Sequence, residues 1–419
     1  MKIAFIVGRF PVLSEAFILN QIAGLIERGY EVDIYALEGY SAETKVHPIV
    51  SKYELVEKAH YVPSIPDNFV LRCFKALGLL IAEGRKNPLV VLRSLNVFRY
   101  GKQAATLRLF YSAIAFLEQS RYDIVHCQFG IYAMQGKYPE DAGILAVKSL
   151  GLLQGKLITA FRGWDISWYV KQQGDDVYNT LFAEGDFFVT NCQFFRDRAI
   201  KIGCNPEKIV VLGSGIDCDR FSFKSRHFPE DGIIKLVTTG RLIEKKGIEY
   251  GIRGVAKLLE KYPHVEYSII GDGYLKEELQ QLIEELGIAN QVKLLGWQQQ
   301  SEIIAILDRS HILLAPCVTA KDGNQDAPVN TLKEAMAMGL PVIATYHGGI
   351  PELVDDNVSG CLVAERDSKA IADKLYYLIK NPGLWQEMGQ NGRQTVQNRY
   401  EINRLNEELV AIYHKVTKK

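Results

Sequence analysis

The chain has 419 residues, too many for one ordinary hydrophobic core, so two domains are expected. Acidic and basic residues balance at 49 each, which argues against nucleic acid as a partner. The apolar and charged fractions are ordinary for a folded protein and argue against extended disorder.

The seven cysteines are scattered, odd in number and form no CxxC pair. This distribution favours reduced thiols over a disulfide framework or a zinc site. No signal peptide is evident, and no apolar run approaches the roughly 18 to 20 residues that span a bilayer. We therefore expect a cytoplasmic protein.

Short β-branched runs alternate with helical patterns, which predicts an α/β fold with parallel sheets. The first run, KIAFIVG, ends at Gly8, and Ser14 is the expected cap of the helix that follows. Further strands are predicted at EVDIYAL, DIVHCQF, KLITAFRG, DFFVTNC and KIVVLGSG. All of them end near polar or glycine residues, where ligands bind in doubly wound sheets.

A polar segment at 223–232 contains a proline and a glycine and is expected to be a linker. After it the alternation restarts, with strands predicted at IIKLVTTG, VEYSIIGDG, VKLLGW, HILLAPC and PVIATYHGG. We therefore predict two similar domains, 1–222 and 223–383, with a ligand cleft between them. Residues 384–419 are expected to form a helical segment that crosses back to the first domain.

The stretch from Asp326 to Val354 reads DAPVNTLKEAMAMGLPVIATYHGGIPELV and carries the strongest functional signal. Two carboxylates, Asp326 and Glu334, have seven residues between them and flank a predicted helix start, and Gly348 and Gly349 precede a second predicted helix. Helix N-termini attract phosphate, and carboxylates accept hydrogen bonds from hydroxyls. The pattern indicates a ligand rich in both groups, a nucleotide-sugar.

Two cations, Arg241 and Lys246, follow a predicted strand in GRLIEKKG. Fixed positive charge there would stabilise a departing nucleoside diphosphate most in the transition state. The alternative is a solvated basic turn, because Glu244 and Lys245 lie between the two residues.

Taken together, these motifs resemble the retaining glycosyltransferases of the GT-B fold, in group 1, glycosyltransferase family 4. GRLIEKKGIEYGI, IIGDGYLKEEL, LLGW and the Asp326–Val354 block carry most of the resemblance. The opening FPVLSEAFILNQI is similar to enzymes that build exopolysaccharides such as colanic acid. The resemblance implies two Rossmann-like doubly wound domains that face each other across a cleft. It also implies transfer of a sugar, typically a hexose, from a nucleoside-diphosphate-sugar to a saccharide or lipid-linked saccharide, with retention of configuration.

The family pattern implies roles for four of these residues. Arg241 and Lys246 would hold the leaving diphosphate, and Glu334 would accept hydrogen bonds from the donor ribose. Asp326 stands where the family usually has Glu and would contact the transferred sugar, with Asp322 as the nearest alternative. The shorter side chain means that the loop lies closer, that the sugar preference differs or that the site is weakened.

Backbone groups complete the expected donor site. The amides of Val329, Asn330 and Thr331 would face phosphate at the helix start. Gly8 and Arg9 lie where the family has a flexible loop near donor and acceptor. Because GRFP replaces the frequent paired glycines, Arg9 would supply charge instead of an open backbone.

Three residues of the first half are candidates for contacts with sugar or acceptor. Arg162 and Asp165 match a stretch that often reads His-Gly-x-Asp, but the histidine is Arg here and its contact is not carried over. His126 would either touch the acceptor or the donor sugar or be a hydrogen-bonded structural histidine.

No metal or other cofactor is expected. Asp217 and Asp219 spell DxD, the metal signature of a different glycosyltransferase fold, but they fall in GSGIDCDRF, which resembles a closing loop of the first domain. Two rival functions remain open. One is a sugar-nucleotide epimerase or phosphorylase of the same fold, and the other is a weakly catalytic sugar-nucleotide-binding partner subunit.

One section departs from charge neutrality. Between Arg72 and Arg108 there are eight basic residues and one acid, Glu83, interleaved with Leu, Val and Phe. One interpretation is a surface helical pair that covers the first sheet. The other is an amphipathic basic surface that docks on anionic lipid or on a lipid-phosphate acceptor, which would make the protein peripheral on the inner face of the cytoplasmic membrane.

Overall fold

The computed structural model describes residues 1–12, 15–38, 46–118, 121–136 and 140–418. The expected cap Ser14 lies outside these residues. The strands of the first half are β1 (Lys2–Val7), β2 (Glu31–Ala36), β3 (Ala59–Tyr61), β4 (Arg121–Cys127), β5 (Gln154–Phe161), β6 (Phe187–Thr190) and β7 (Ile209–Val211). Those of the second half are β8 (Ile234–Thr239), β9 (Val265–Ile270), β10 (Val292–Gly296), β11 (Ile312–Ala315), β12 (Val342–Thr345) and β13 (Cys361–Val363).

The helices connect these strands and end the chain. They are α1 (Ala16–Glu27), α2 (Pro48–Lys52), α3 (Phe69–Glu83), α4 (Pro88–Ser94), α5 (Val97–Ala105), α6 (Arg108–Ile114), α7 (Gly130–Met134), α8 (Ile144–Ser149), α9 (Trp168–Gln173), α10 (Asn179–Glu184), α11 (Gln193–Lys201), α12 (Ile248–Leu259), α13 (Lys276–Glu285), α14 (Gln300–Arg309), α15 (Asn330–Ala337), α16 (Ser368–Lys380), α17 (Gly383–Tyr400) and α18 (Ile402–Thr417).

The strands form two separate sheets in which every ladder is parallel. The first has the order β3-β2-β1-β4-β5-β6-β7 and the second β10-β9-β8-β11-β12-β13. Each order reverses beside its first strand, so each sheet has a switch point at the carboxyl ends of its central strands, where doubly wound sheets bind ligands.

Burial explains which strands the sequence reveals. In the central strand β1 every residue after Lys2 is buried, as expected for a parallel strand covered on both faces. All eleven strands predicted from the sequence are present. The two that were not predicted, β3 and β13, are sheet edges of three residues each, too short to show a period.

The expected linker is held firmly. Arg226 is buried and donates to the carbonyl oxygens of Asp308, Ser310 and Met338, the last two at 3.2 and 3.0 Å. Buried carbonyl acceptors of this kind fix a segment that carries no regular structure of its own.

The last helix packs on the first half. A Cβ atom on Gly24 of α1 would lie 1.9 Å from Asn406 Nδ2 of α18, so the glycine permits the close approach. Where the chain returns to the first half, it meets the outgoing chain. The amide of Ile216 donates to Tyr400 O at 2.9 Å, and that of Ile402 donates to Ile216 O at 3.1 Å. No helix in the described part of the chain has the length and hydropathy needed to cross a bilayer.

Candidate active site

A lysine-carboxylate cluster lies at the carboxyl ends of β8 and β11. The turn after β8 carries Lys245 and Lys246, and the loop between β11 and α15 carries Asp326. Lys245 Nζ lies 2.9 Å from Asp326 Oδ1, and Lys246 Nζ lies 2.7 Å from Asp326 Oδ2. One carboxylate is therefore shared by two ammonium groups, and these two lysine side chains of the turn are largely buried.

The charges of this cluster stabilise one another. Burial opposes ionisation of Asp326, but Lys246 and Lys245 outweigh it and hold the pKa of the carboxyl well below its usual range. Burial likewise works against the Lys246 ammonium, yet Asp326 leaves the pKa of Lys246 raised. Asp326 and Lys246 are therefore both charged at neutral pH. Lys245, which the sequence left in the spacer between two cations, is a full member of the cluster.

His347 fixes the loop that carries Asp326. Its Nε2 atom accepts the Asp326 amide at 2.9 Å, so Nδ1 carries the proton and donates to Glu365 Oε1 at 2.7 Å. Gly348 has φ +50°, and a Cβ there would lie 2.0 Å from Asp326 O. The Gly349 amide donates to the same carbonyl at 3.3 Å. These two glycines therefore pack tightly against the Asp326 loop.

The first turn of α15 offers unused backbone donors. Its N-cap residue, Val329, provides no side-chain acceptor, and the amides of Asn330 and Thr331 donate to nothing among the described residues. Free amides at a helix start attract anions.

The next turn of α15 carries two titratable groups. Burial raises the pKa of Glu334 to about 7, although Lys333 and Arg220 act to lower it. Burial also lowers the pKa of Lys333 to about 7, although Cys192 and Glu334 act to raise it. Lys333 Nζ donates to Ser214 O at 2.8 Å, which holds this helix to the segment between the halves.

Arg241 is exposed at the end of β8 and faces the first half. Arg241 interacts electrostatically with Glu15, which lies at the start of α1, and Glu15 also interacts with Arg162. Burial raises the pKa of Glu15 to about 7, while Arg162 and Arg241 lower it. Glu15 thus lies between a cation of each half. Glu15 was not predicted from the sequence, although an acidic residue directly before the helix that follows the first strand could have indicated it.

Arg162 is embedded in polar and aromatic groups. Its Nη2 atom donates to Gln128 Oε1 at 2.6 Å and to Gln21 Oε1 at 3.2 Å, and the guanidinium lies 4.6 Å from the Phe17 ring centroid. Burial lowers the pKa of Arg162 to about 10, with Asp165 and Glu15 opposing. The guanidinium is therefore charged and held in place at the end of β5.

Asp165 organises the backbone beside it. Its carboxylate accepts the amides of Gly130, Arg162 and Gly163 at 3.0, 2.9 and 3.1 Å and is fully buried. Burial raises the pKa of Asp165, and these amides lower it. With its lone pairs engaged in this way, Asp165 positions the loops after β4 and β5.

His126 is fully buried beneath α18, where Nδ1 lies 2.6 Å from the Tyr413 hydroxyl. Burial lowers the pKa of His126 to about 3, and Arg162 acts in the same direction, so the ring is neutral. This setting favours the structural alternative for His126 over contact with a ligand.

The loop after β1 is more closed than its sequence suggested. A Cβ on Gly8 would lie 2.1 Å from the Tyr132 hydroxyl oxygen, so the phenol covers this backbone. Arg9 is exposed and forms an ion pair with Glu38. The structure thus places Arg9 beside a carboxylate of the first half.

Several buried polar atoms at the ends of β4, β5 and β6 have no hydrogen-bond partner among the described residues. They are His126 Nε2, Gln128 Nε2, Thr159 Oγ1, Arg162 Nε and Asn191 Oδ1. Such groups are rare in native proteins and call for water or a ligand.

Direct contacts join the two halves. Glu352 accepts the amides of Gln193 and Phe194, both at 2.7 Å, and so caps the N-terminus of α11 from the opposite half. The Gln325 amide donates to Ser167 Oγ at 3.2 Å. No sequence pattern predicts these pairings, because they depend on how the two halves contact each other.

The DxD acids act within their own loop. Asp217 Oδ1 accepts the amides of Asp219 and Arg220 at 3.0 and 3.2 Å. In the described part of the chain, no group of three or more His, Cys, Asp or Glu residues is arranged to hold a metal ion.

Comparison with known proteins adds family and fold. Residues 14–220 match the sequence model for glycosyltransferase family 4, and residues 219–395 match that for glycosyl transferases group 1. The chain is 35% identical to the amylovoran biosynthesis glycosyltransferase AmsK of Erwinia amylovora, over 90% of each chain. It is 32% identical to WcaL of Escherichia coli (strain K12), provisionally assigned to colanic acid biosynthesis, over 98% of this chain and 99% of WcaL.

Two solved structures share the fold over nearly their whole length. Anabaena Alr3699/HepE in complex with UDP-glucose has a TM-score of 0.67 at 17% identity and covers 99% of this chain and 100% of its own. The sucrose-phosphate synthase of Thermosynechococcus elongatus has a TM-score of 0.72 at 14% identity and covers 99% of both chains.

Proposed function

This chain belongs to the group 1 glycosyltransferases of family 4, and from that membership we propose a donor, an acceptor and a stereochemical outcome for its reaction. The donor is a nucleoside-diphosphate-sugar. The acceptor is a hydroxyl of a saccharide or lipid-linked saccharide in exopolysaccharide synthesis, as the relative AmsK suggests. The configuration of the transferred sugar is retained. The protein works in the cytoplasm.

One observation carries the proposal. The segments that follow β8 and β11, two neighbouring strands of one sheet, carry Lys246, the free amides of Asn330 and Thr331, and Glu334. Ammonium groups and helix-start amides bind a diphosphate, and a carboxylate binds ribose hydroxyls. No simpler ligand uses all of these groups.

The roles follow from charge. Arg241 and Lys246 take up the negative charge that develops on the leaving diphosphate. Lys246 must then share its protons between phosphate and Asp326, while Lys245 keeps Asp326 ionised and in place. Asp326 accepts hydrogen bonds from the transferred sugar, and Glu334 accepts them from ribose.

The acceptor binds on the first half. Glu15 lies there between Arg162 and Arg241, the residue that is proposed to hold the leaving diphosphate. Closure of the halves excludes water and so limits hydrolysis of the donor.

Thermal-shift screening with UDP-, GDP- and ADP-sugars tests the donor, because a bound donor raises the unfolding midpoint. UDP-glucose is the first choice, since the Anabaena protein of the same fold binds it. The donor that binds is then incubated with saccharide acceptors, and NMR of the product gives its anomeric configuration. Absence of any shift and of any transfer would refute the proposal, and an inverted product would refute retention. No metal takes part in the proposed reaction, so both donor binding and transfer should survive EDTA.

A further inference from the structure

Exposed apolar side chains are concentrated in one segment of the first half. Of the 22 large apolar residues that are exposed in the described chain, twelve lie between residues 69 and 98. This segment belongs to α3, α4 and α5, which we call the outer helical layer. An apolar surface of this density on one face marks a site of interaction.

The apolar stripe of α3 points away from the protein. Val70, Phe74, Leu77 and Ile81 are spaced by four, three and four residues, so they share one helix face. They are 62, 71, 56 and 68% exposed. On the opposite face Arg72 and Ala76 are buried, and Arg72 donates to three backbone carbonyls.

The neighbouring helices repeat this arrangement. In α4, Leu89 and Leu92 are exposed while Val90 and Val91 are buried, and in α5 Phe98 is fully exposed. All three helices pack against α6 and so belong to one layer of the first half.

The charge around these side chains has one sign. Lys75, Arg85, Arg93, Arg99 and Lys102 are exposed and form no ion pair with the described residues. The one acid of the layer, Glu83, is paired with Lys86. The remaining basic residues of this region, Arg72 and Arg108, are engaged inside the protein.

We propose that the outer helical layer docks on an anionic lipid surface, with the Val70–Ile81 stripe and Phe98 inserted among the acyl chains and the five free cations at the headgroups. Helices with an apolar face and a basic rim bind membranes in this way. A second copy of the chain fits less well, because a two-fold contact would bring the same five cations against one another.

The position of the layer suits an enzyme with a lipid-linked acceptor. Ser112 of α6 lines a small cavity with Leu37 and Val62, which directly follow β2 and β3. The helix on which the layer packs, α6, therefore lies beside the carboxyl ends of β2 and β3. Membrane docking itself does not depend on the proposed reaction.

Co-sedimentation with vesicles tests the proposal. The full chain should bind vesicles of equal parts phosphatidylglycerol and phosphatidylcholine far better than phosphatidylcholine alone, and salt should weaken the binding. The triple variant Lys75→Gln, Arg93→Gln, Arg99→Gln should bind about a hundredfold more weakly, at about fivefold for each cation near an anionic surface.

The double variant Phe74→Ser, Ile81→Ser should lose at least about tenfold in affinity, because less apolar surface is inserted. Lys201→Gln with Lys257→Gln, and Val358→Ser, are matched controls on other exposed surfaces and should bind like the wild type. All variants should keep the wild-type unfolding midpoint.

Three outcomes would overturn the proposal. They are equal binding to neutral and anionic vesicles, wild-type binding by both layer variants, and failure to bind vesicles by a protein that forms a dimer sensitive to Phe74→Ser. The last outcome would assign the layer to a second copy of the chain.

Discussion

Lys245 and Lys246 offer an internal comparison that separates catalysis from stability. Their ammonium groups lie 2.9 and 2.7 Å from the two oxygens of Asp326, and both side chains are largely buried. Replacing either residue by Met removes one ammonium partner of Asp326 and leaves the other in place, and Lys245→Met also removes the hydrogen bond to Asn324 Oδ1. Each variant should therefore lose a similar amount of stability, about 1.5 to 3 kcal/mol.

The two variants should differ in turnover. Only Lys246 is proposed to reach the leaving diphosphate, so Lys246→Met removes a contact that is strongest in the transition state. Such contacts are worth about 2.7 to 4 kcal/mol, and kcat should fall by about two to three powers of ten. Lys245→Met should lower kcat by less than about tenfold, because Lys246 still holds Asp326.

The assay combines steady-state transfer with the identified donor and acceptor and chemical unfolding of each variant. Equal losses of kcat in the two variants would refute the reasoning, because turnover would then follow the integrity of the Asp326 loop alone. Wild-type turnover in Lys246→Met would likewise remove the lysine from the mechanism. Arg241→Ala, on an exposed residue, should lose about two powers of ten in turnover with little change in stability.

Further predictions concern two carboxylates, Glu334 and Glu352. The pKa of Glu334 is raised to about 7, so roughly a tenth of the Glu334 carboxyl groups are ionised at pH 6. The donor should therefore bind several-fold more weakly at pH 6 than at pH 8 in calorimetric titrations. Glu334→Gln should flatten this pH dependence, and an unchanged slope in the variant would remove the ribose-binding role assigned to Glu334. The same shift favours the protonated folded state, so the share of the unfolding free energy that Glu334 contributes should fall as pH rises from 4.5 to 7. Glu352→Ala should speed hydrogen exchange at the amides of Gln193 and Phe194 by about fivefold, since loss of a helix cap costs about 1 kcal/mol. Unchanged exchange at these amides would show that the cap from the opposite half does not stabilise α11.

The sequence revealed the family and the fold because their signals are local. Family 4 membership and the GT-B architecture, predicted from ordered motifs, are confirmed. Each of the eleven predicted strands shows its apolar run and its terminal glycine or polar residue in the chain itself. The roles of Arg241, Lys246, Asp326 and Glu334 stay predictions.

The remaining features of the site depend on tertiary contacts. From the sequence, Lys245 is a solvated residue between two cations, and only its contact with Asp326 shows otherwise. Likewise, the role of His347 becomes visible only in its hydrogen bond with the Asp326 amide. The burial of His126 under Tyr413 joins residues that are 287 positions apart in the chain. No periodicity or spacing reports such pairings.

The paired hydrogen bonds between Ile216 and the Tyr400–Ile402 segment have a mechanical consequence. The chain crosses from one half to the other twice, and the two crossing segments are hydrogen-bonded to each other at this point. Sliding of one half past the other would break these hydrogen bonds, whereas rotation of the halves about an axis through them would leave the bonds intact. Lys333, bonded to Ser214 beside this axis, would scarcely move during such a swing, whereas contacts such as that of Lys171 with Lys321 would separate.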